Sequence, residues 1–300
     1  MSSPFLATIV ITTKNRKEEL VRALRSCLIQ SVAVEILVID DGSTDGTSEM
    51  IRSDFPTVRL ERSEVSLGLI VQRNRGANLA RSPVVISIDD DAEFSSTRVV
   101  EQTLEEIGSD PHIGAVAIPF REPNKENVLM QRAPSESAIW ITEKFIGTAH
   151  AVRRDLFIRL DGYRGELVHQ GEESDYSIRM LEAGYFVRLG NADPILHYES
   201  PKRDHARMDY YGSRNSVLFS WQNVPGFFLP IHLAATTFRC ASLTFSLSRL
   251  ATRLRGIASG YFKFLIFIRR PVSSSTYRLF RRMRKRGSIT IEEAISESAT

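Results

Sequence analysis

Cysteine is almost missing from these 300 residues, with Cys27 and Cys240 far apart and no CxxC pair. That excludes a disulfide framework and fits a reducing compartment. Neither GxGxxG nor GxxxxGK[ST] occurs, which argues against a dinucleotide-dependent oxidoreductase. Long apolar runs are lacking too. Asn215 to Phe238 carries no charge, but Pro225, Gly226 and Pro230 interrupt it, and Gln222, Asn223 and His232 dilute it. Tyr261 to Ile268 is too short to span a bilayer. The apolar stretch near the start has no charged n-region and no small-residue cleavage pattern, so a buried strand is expected there, not a signal peptide.

Acidic residues are absent from Tyr210 to Ile291, a stretch with fourteen Arg or Lys, whereas residues 1–209 hold 25 basic and 33 acidic groups. The net charge of +3 therefore hides an acidic part and a basic, apolar one. With 42% hydrophobic and 25% charged content the chain can bury a substantial core. One large domain with an appendage is the simplest division.

Along the chain, β-branched runs at Leu6 to Thr12, Glu35 to Ile39 and Val84 to Ile88 alternate with segments of helical spacing, such as Lys17 to Gln30 with Leu20, Val21, Leu24 and Leu28. This pattern predicts an α/β fold with a mainly parallel sheet flanked by helices. Ligands of such sheets sit beyond the carboxyl ends of the strands. Three polar clusters fall there: Thr12-Thr13-Lys14-Asn15-Arg16, Asp40-Asp41-Gly42-Ser43, and Asp89-Asp90-Asp91.

Three adjoining carboxylates after a buried strand repel one another unless a positive group faces them. A divalent cation, Mg2+ or Mn2+, suits such hard oxygen donors; a solvated acidic turn is the plainer reading. Asp40 and Asp41 could accept hydrogen bonds from a nucleobase or ribose, or simply start the next helix. Arg73-Asn74-Arg75-Gly76 could hold phosphate oxygens or form a solvated helix face. Gly171-Glu172-Glu173-Ser174-Asp175 opens a helix whose dipole favours acids in its first turn. A carboxylate there could equally serve as general base. His197 closes a short apolar run and by itself reads as a packing residue.

Taken together and in this order, from Ala7 to Phe219, the segments resemble the family 2 glycosyltransferases, which have the GT-A fold. Thr12, Thr13, Asn15 and Arg16 match the first nucleotide loop, Asp40 and Asp41 the second, and Arg73 and Asn74 the stretch before the metal motif. Asp89-Asp90-Asp91 matches the DxD motif, with Asp89 and Asp91 in its acidic positions. The resemblance implies nucleotide-sugar contacts at these residues and a metal site at Asp89, Asp91 and His197. It implies a base within Gly171-Glu172-Glu173-Ser174-Asp175, similar to a Gly-Glu-Asp-x-Asp segment. Glu173 stands where the family has Asp, which leaves Glu173, Glu172 and Asp175 as candidates. Tyr210-Tyr211 and Arg214-Asn215 are similar to a further family pattern.

The implied reaction is an inverting transfer of a sugar from a nucleoside diphosphate sugar to a hydroxyl of a glycan or lipid-linked acceptor. Residues 1–204 form the expected transferase domain, with 1–120 for the donor and 121–204 for the acceptor. Residues 205–288 form a helical region expected to associate with an anionic membrane surface, and 289–300 a disordered polar tail. The expected location is the cytoplasm, peripheral at the inner face of the cell membrane. Nucleic acid is not an expected partner, since no recognition module accompanies the basic stretch. A non-catalytic sugar-nucleotide binder and a metal-dependent nucleotidyltransferase are the rival readings; the latter lacks a glycine-rich first loop here.

Overall fold

In the computed structural model, which describes residues 4–198, 204–242 and 246–298, each buried β-branched run becomes a strand. The chain begins β1 (Ala7–Thr13), α1 (Lys17–Leu28), β2 (Val34–Asp40), α2 (Thr47–Asp54), β3 (Arg59–Arg62), α3 (Leu69–Leu79) and β4 (Val84–Asp89). It continues through β5 (Ala92–Phe94), α4 (Val99–Gly108), β6 (Ile113–Ala117), β7 (Phe120–Arg121), β8 (Trp140–Thr142), β9 (Ala149–Arg153), α5 (Arg154–Arg159), α6 (Glu172–Glu182), β10 (Phe186–Leu189) and β11 (Ile195–His197). Then come α7 (His205–Asn223), α8 (Leu229–Ser242), α9 (Leu247–Phe262), α10 (Ser274–Arg286), β12 (Ile289–Thr290) and α11 (Ile291–Ser298).

A nine-stranded sheet runs β12-β8-β10-β6-β9-β4-β1-β2-β3, and β5-β11-β7 form a small second sheet. Among the described strands of the large sheet, β8 and β9 run against the rest. The sheet is thus mostly parallel but mixed, a feature that periodicity does not reveal. Both faces are covered, so strand residues are apolar without alternation. Ile9, Ile11, Ile86 and Ile88 pack with Leu20, Leu24, Ile51 and Val99 on one side. Val10, Leu37 and Val85 pack with Ile70, Leu156 and Phe157 on the other.

The polar loops meet because β1 pairs in parallel with β2 on one side and β4 on the other. Thr13 lies opposite Asp40, and Thr12 opposite Asp89. This is the switch point at which such sheets gather ligands.

Two expectations for the C-terminal part need correction. Residues 289–298 are not a disordered tail: Ile289 pairs with Ile141 on the sheet edge, and Ile289, Ile291 and Ala294 are buried. Nor does α10 lie free for a membrane, because Tyr277, Phe280 and Met283 enter the main core. The exposed apolar side chains are instead on and around α8 and α9: Phe227, Ile231, Phe238, Leu247, Phe262 and Leu265. Among the described residues no helix is long and apolar enough to cross a membrane.

Candidate active site

Asp89 ends β4, Asp91 closes the two-residue turn into β5, and His197 ends β11, which pairs with β5 at Ala92. One ligand atom from each of the three lies within 4.8 Å of the others. His197 Nε2 is 3.2 Å from Asp91 Oδ1 and 3.9 Å from Asp89 Oδ2. Its Nδ1 faces Glu122 Oε1 at 3.3 Å, an outer carboxylate that fixes the ring for a metal. Desolvation works against the imidazolium, but the Asp91 hydrogen bond and the charges of Asp89, Asp91 and Glu122 outweigh it and raise the His197 pKa. A cation is what this arrangement selects, and two carboxylates with one imidazole fit a divalent ion.

Asp90 turns away from the cluster. Its carboxylate accepts from Thr13 Oγ1 at 2.8 Å and from Arg16 Nη1 at 2.9 Å, and the same Arg16 nitrogen reaches Asp91 Oδ2 at 2.8 Å. Burial, against the pull of Arg16 and with Asp91 and Asp89 adding repulsion, pushes Asp90 up to about 7.

Opposite the carboxylates stands Arg73, 6% exposed on α3. Its Nη2 donates to Asp89 Oδ1 at 2.7 Å and to the Gly147 carbonyl at 3.1 Å, while Nη1 donates to Glu172 Oε1 at 3.3 Å. Thr148 Oγ1 donates to Asp89 Oδ2 at 2.9 Å. Glu172 Oε2 is buried and accepts no hydrogen bond among the described residues. Burial and the neighbouring Glu173 charge push the Glu172 pKa well up, with Arg73 opposing them. Glu173 is half-buried and accepts from the Gly147 amide at 3.2 Å. Of the three acids it alone keeps an open side.

Other expected contacts come out differently. Asp175 is 1% exposed and held by Arg164 at 2.5 Å, Arg179 at 3.0 Å and Asn223 at 2.8 Å, so it knots α6 to α7 and is no base candidate. Asp40 is fully buried, accepting from Ser43 N at 2.8 Å and Ser48 Oγ at 2.5 Å, and cannot touch a nucleotide. Asn74 pairs both ways with the Tyr163 backbone, at 2.7 and 2.9 Å, which removes it from the ligand set. Asp41 already accepts from Ser66, Leu67, Gly68 and Gln72, which holds its pKa down despite burial. A base meeting Asp41 must displace one of these donors. Asn15, at φ 54°, accepts from Thr44 N at 2.7 Å and so joins the first two loops. Thr12 is half-buried at the end of β1.

Sequence reasoning missed Glu122 and the role of Gln72, since neither lies in a recognisable pattern. The Arg214-Asn215 pair proves to be a clamp. Arg214 donates to the Glu166 carbonyl, and Asn215 Nδ2 donates to the Leu167, His169 and Gln170 carbonyls, shaping the loop before α6.

A model of glycosyl transferase family 2 matches residues 8–165, more than half of the chain, and the chain belongs to that family. It is thereby a transferase of the glycosyltransferase class. The succinoglycan biosynthesis protein ExoU of Rhizobium meliloti (strain 1021) is 35% identical over 101 residues, 33% of this chain and 30% of that one. An uncharacterized glycosyltransferase of Mycoplasma genitalium, MG025, is 23% identical over 256 residues, 76% of this chain and 85% of its own. The Escherichia coli chondroitin synthase is 29% identical over 206 residues, 65% of this chain but 29% of the synthase. The match thus spans less than a third of ExoU and of the synthase.

Among solved structures, a mannosyltransferase from Pyrobaculum calidifontis in complex with GDP-Man and Mn2+ superposes with a TM-score of 0.59 at 20% identity, covering 88% of each chain. S. aureus TarS 1-349 in complex with UDP-GlcNAc gives 0.65 at 14% identity, covering 88% of this chain and 81% of TarS. These likenesses establish the GT-A fold.

Proposed function

We propose that this protein moves a sugar from a nucleoside diphosphate sugar to an acceptor hydroxyl, with inversion, in polysaccharide or glycoconjugate synthesis. The observation that carries this reading is Arg73: one buried guanidinium holds the first aspartate of the metal motif and the first carboxylate of α6, so both poles of a transfer reaction share one wall. The names of ExoU and the chondroitin synthase, and the nucleotide sugars in the mannosyltransferase and TarS structures, support it.

In this reading Asp89, Asp91 and His197 hold a divalent cation. When bound, that ion supplies positive charge against the departing diphosphate. Thr12, Thr13 and Arg16 line the donor side, and Asp41 orders the loop that frames the nucleotide. Arg73 keeps Asp89 aimed at the ion. Glu173 takes the proton of the acceptor hydroxyl on its open carboxylate, and Glu172 stays turned to Arg73 as a positioning group. The exposed apolar side chains of α8 and α9, in a stretch without acids, support a peripheral place at an anionic cytoplasmic membrane surface and a lipid-linked acceptor.

Calorimetric titration of uridine, thymidine and guanosine diphosphate sugars, with Mn2+ and with chelator, tests the donor half. One donor is expected to bind only with the metal, and Asp91→Asn to weaken that binding by tenfold or more. Full, metal-independent turnover of the variant would end this reading. Loss of binding to anionic liposomes in Phe238→Ser/Phe262→Ser is the expected result for the membrane half.

A further inference from the structure

Beside the first turn of α6 lies a cavity of about 240 Å³ to which the transfer reaction gives no role. Its near wall is Gly171 and Ser174, on the turn that carries Glu172 and Glu173. Phe219 and Phe280 line its apolar part beside the buried His232. Lys144, Arg239 and Arg284 also line it, from the segment before β9, from α8 and from α10.

These cations differ from the others near the site. Arg16, Arg73, Arg164 and Arg179 each close on a carboxylate. Lys144, Arg239 and Arg284 form no salt bridge with any described acid, and Glu143, the one acid in the lining, accepts from Thr142. Burial lowers the Arg284 pKa, and the nearby Arg239 and Arg281 charges lower it further, with Glu143 opposing them. Three exposed cations brought together from separate elements, with Glu143 as the single acid beside them, leave a net positive lining and repel one another. An anion in the cavity removes that repulsion. Two guanidiniums suit a phosphoryl group, whose several oxygens can take both. The apolar part leaves room for whatever the phosphate is esterified to.

We propose that this cavity binds a phosphoryl group of the acceptor, held by Arg239 and Arg284 with Lys144 at its mouth, and so sets the acceptor hydroxyl against Glu173. This rests on the glycosyl-transfer reading, and it adds a chemical class of acceptor: one with a phosphate close to the sugar that is extended.

The test is titration of the full chain with inorganic phosphate in chelator, for wild type, Arg239→Gln, Arg284→Gln and Arg278→Gln. Arg278 lies on α10 outside the cavity and serves as the control for net charge. Phosphate affinity is expected to fall tenfold or more in the two cavity variants and to stay within twofold in Arg278→Gln. Equal affinity in all four proteins, or an equal fall in all three variants, would overturn the proposal. Competition with a soluble short-chain phosphatidic acid separates the sources: tenfold better displacement than by phosphate assigns the cavity to a lipid phosphate, and equal displacement to a free one. Metal-dependent binding of nucleoside diphosphate is measured on the same variants and is expected unchanged. Its absence in wild type would count against the transfer reading, while loss of phosphate selectivity alone would count against this cavity.

Discussion

At the scale of single residues the site turns on the surroundings of Gly147. A Cβ added there would lie 2.6 Å from Arg73 Nη1 and 2.8 Å from Glu173 Oε1, so even Ala must push one of them aside. Gly147→Ala is therefore expected to cut kcat by about 10- to 100-fold while leaving the melting temperature nearly unchanged, since misplacement of a reacting group by an ångström has that order of effect. Glu173→Gln keeps the shape and removes the proton acceptor. Its kcat is expected to fall by about 10²- to 10⁴-fold with donor affinity intact, and a fall in donor affinity with unchanged kcat would move the base elsewhere. Much at this scale could be read from the sequence, because Asp89, Asp91 and the Glu172-Glu173 pair sit in patterns with few uses. What could not be read was the direction of each side chain. Asp40 and Asp41 are adjacent and alike on paper, yet one is sealed beneath a turn and the other braces a loop.

Among the elements, the pairing of α7 with α9 shows where sequence reading stops. Residues 205–288 read as helical, and they are, but helical spacing does not tell which faces are already occupied. Gly256 and Gly260 let α9 press onto α7: a Cβ at Gly256 would lie 2.3 Å from the Tyr210 carbonyl oxygen, and one at Gly260 2.8 Å from Val217 Cβ. Asp209 of α7 closes the contact by binding Arg249 and Arg253 of α9. Gly256→Ala is expected to cost about 1–3 kcal/mol, the usual range for overpacking, measured as a shift of the urea midpoint at constant m-value. The alternation of strands and helices up to Ile88 was legible because both faces of the sheet are buried and the runs are apolar. The pairing of β8, β9 and β12 was not, since strands of two to five residues carry too little pattern.

For the whole molecule, two buried histidines set a limit on acid tolerance. Burial, with Arg73 nearby, lowers His150 to about 3, and burial with Arg281, Arg239 and Arg284 lowers His232 to about 4. Both stay neutral in the fold, whereas unfolded histidine takes up a proton near pH 6.5. At these two sites the unfolded chain thus binds more protons below that pH, and their contribution to stability is lost as pH falls from about 6.5 toward 4, while the raised Asp90 and Glu172 contribute in the opposite sense. Each histidine is expected to remove up to about 2 kcal/mol between pH 7.5 and pH 5. Urea unfolding of wild type and His232→Asn at the two pH values isolates the histidine share from that of Asp90 and Glu172: the variant is expected to lose less stability, or gain more, on going to pH 5.

Arg73 also bears on the order of events. Its two ends hold Asp89 and Glu172, and it is too buried to let go of both. Whatever occupies the Asp89 side changes the field felt at Glu172 and Glu173. By reciprocity, an acceptor seated at those glutamates changes donor affinity by the same factor. The two substrates are therefore not strangers to each other, and which of them arrives first leaves its mark on the welcome given to the second.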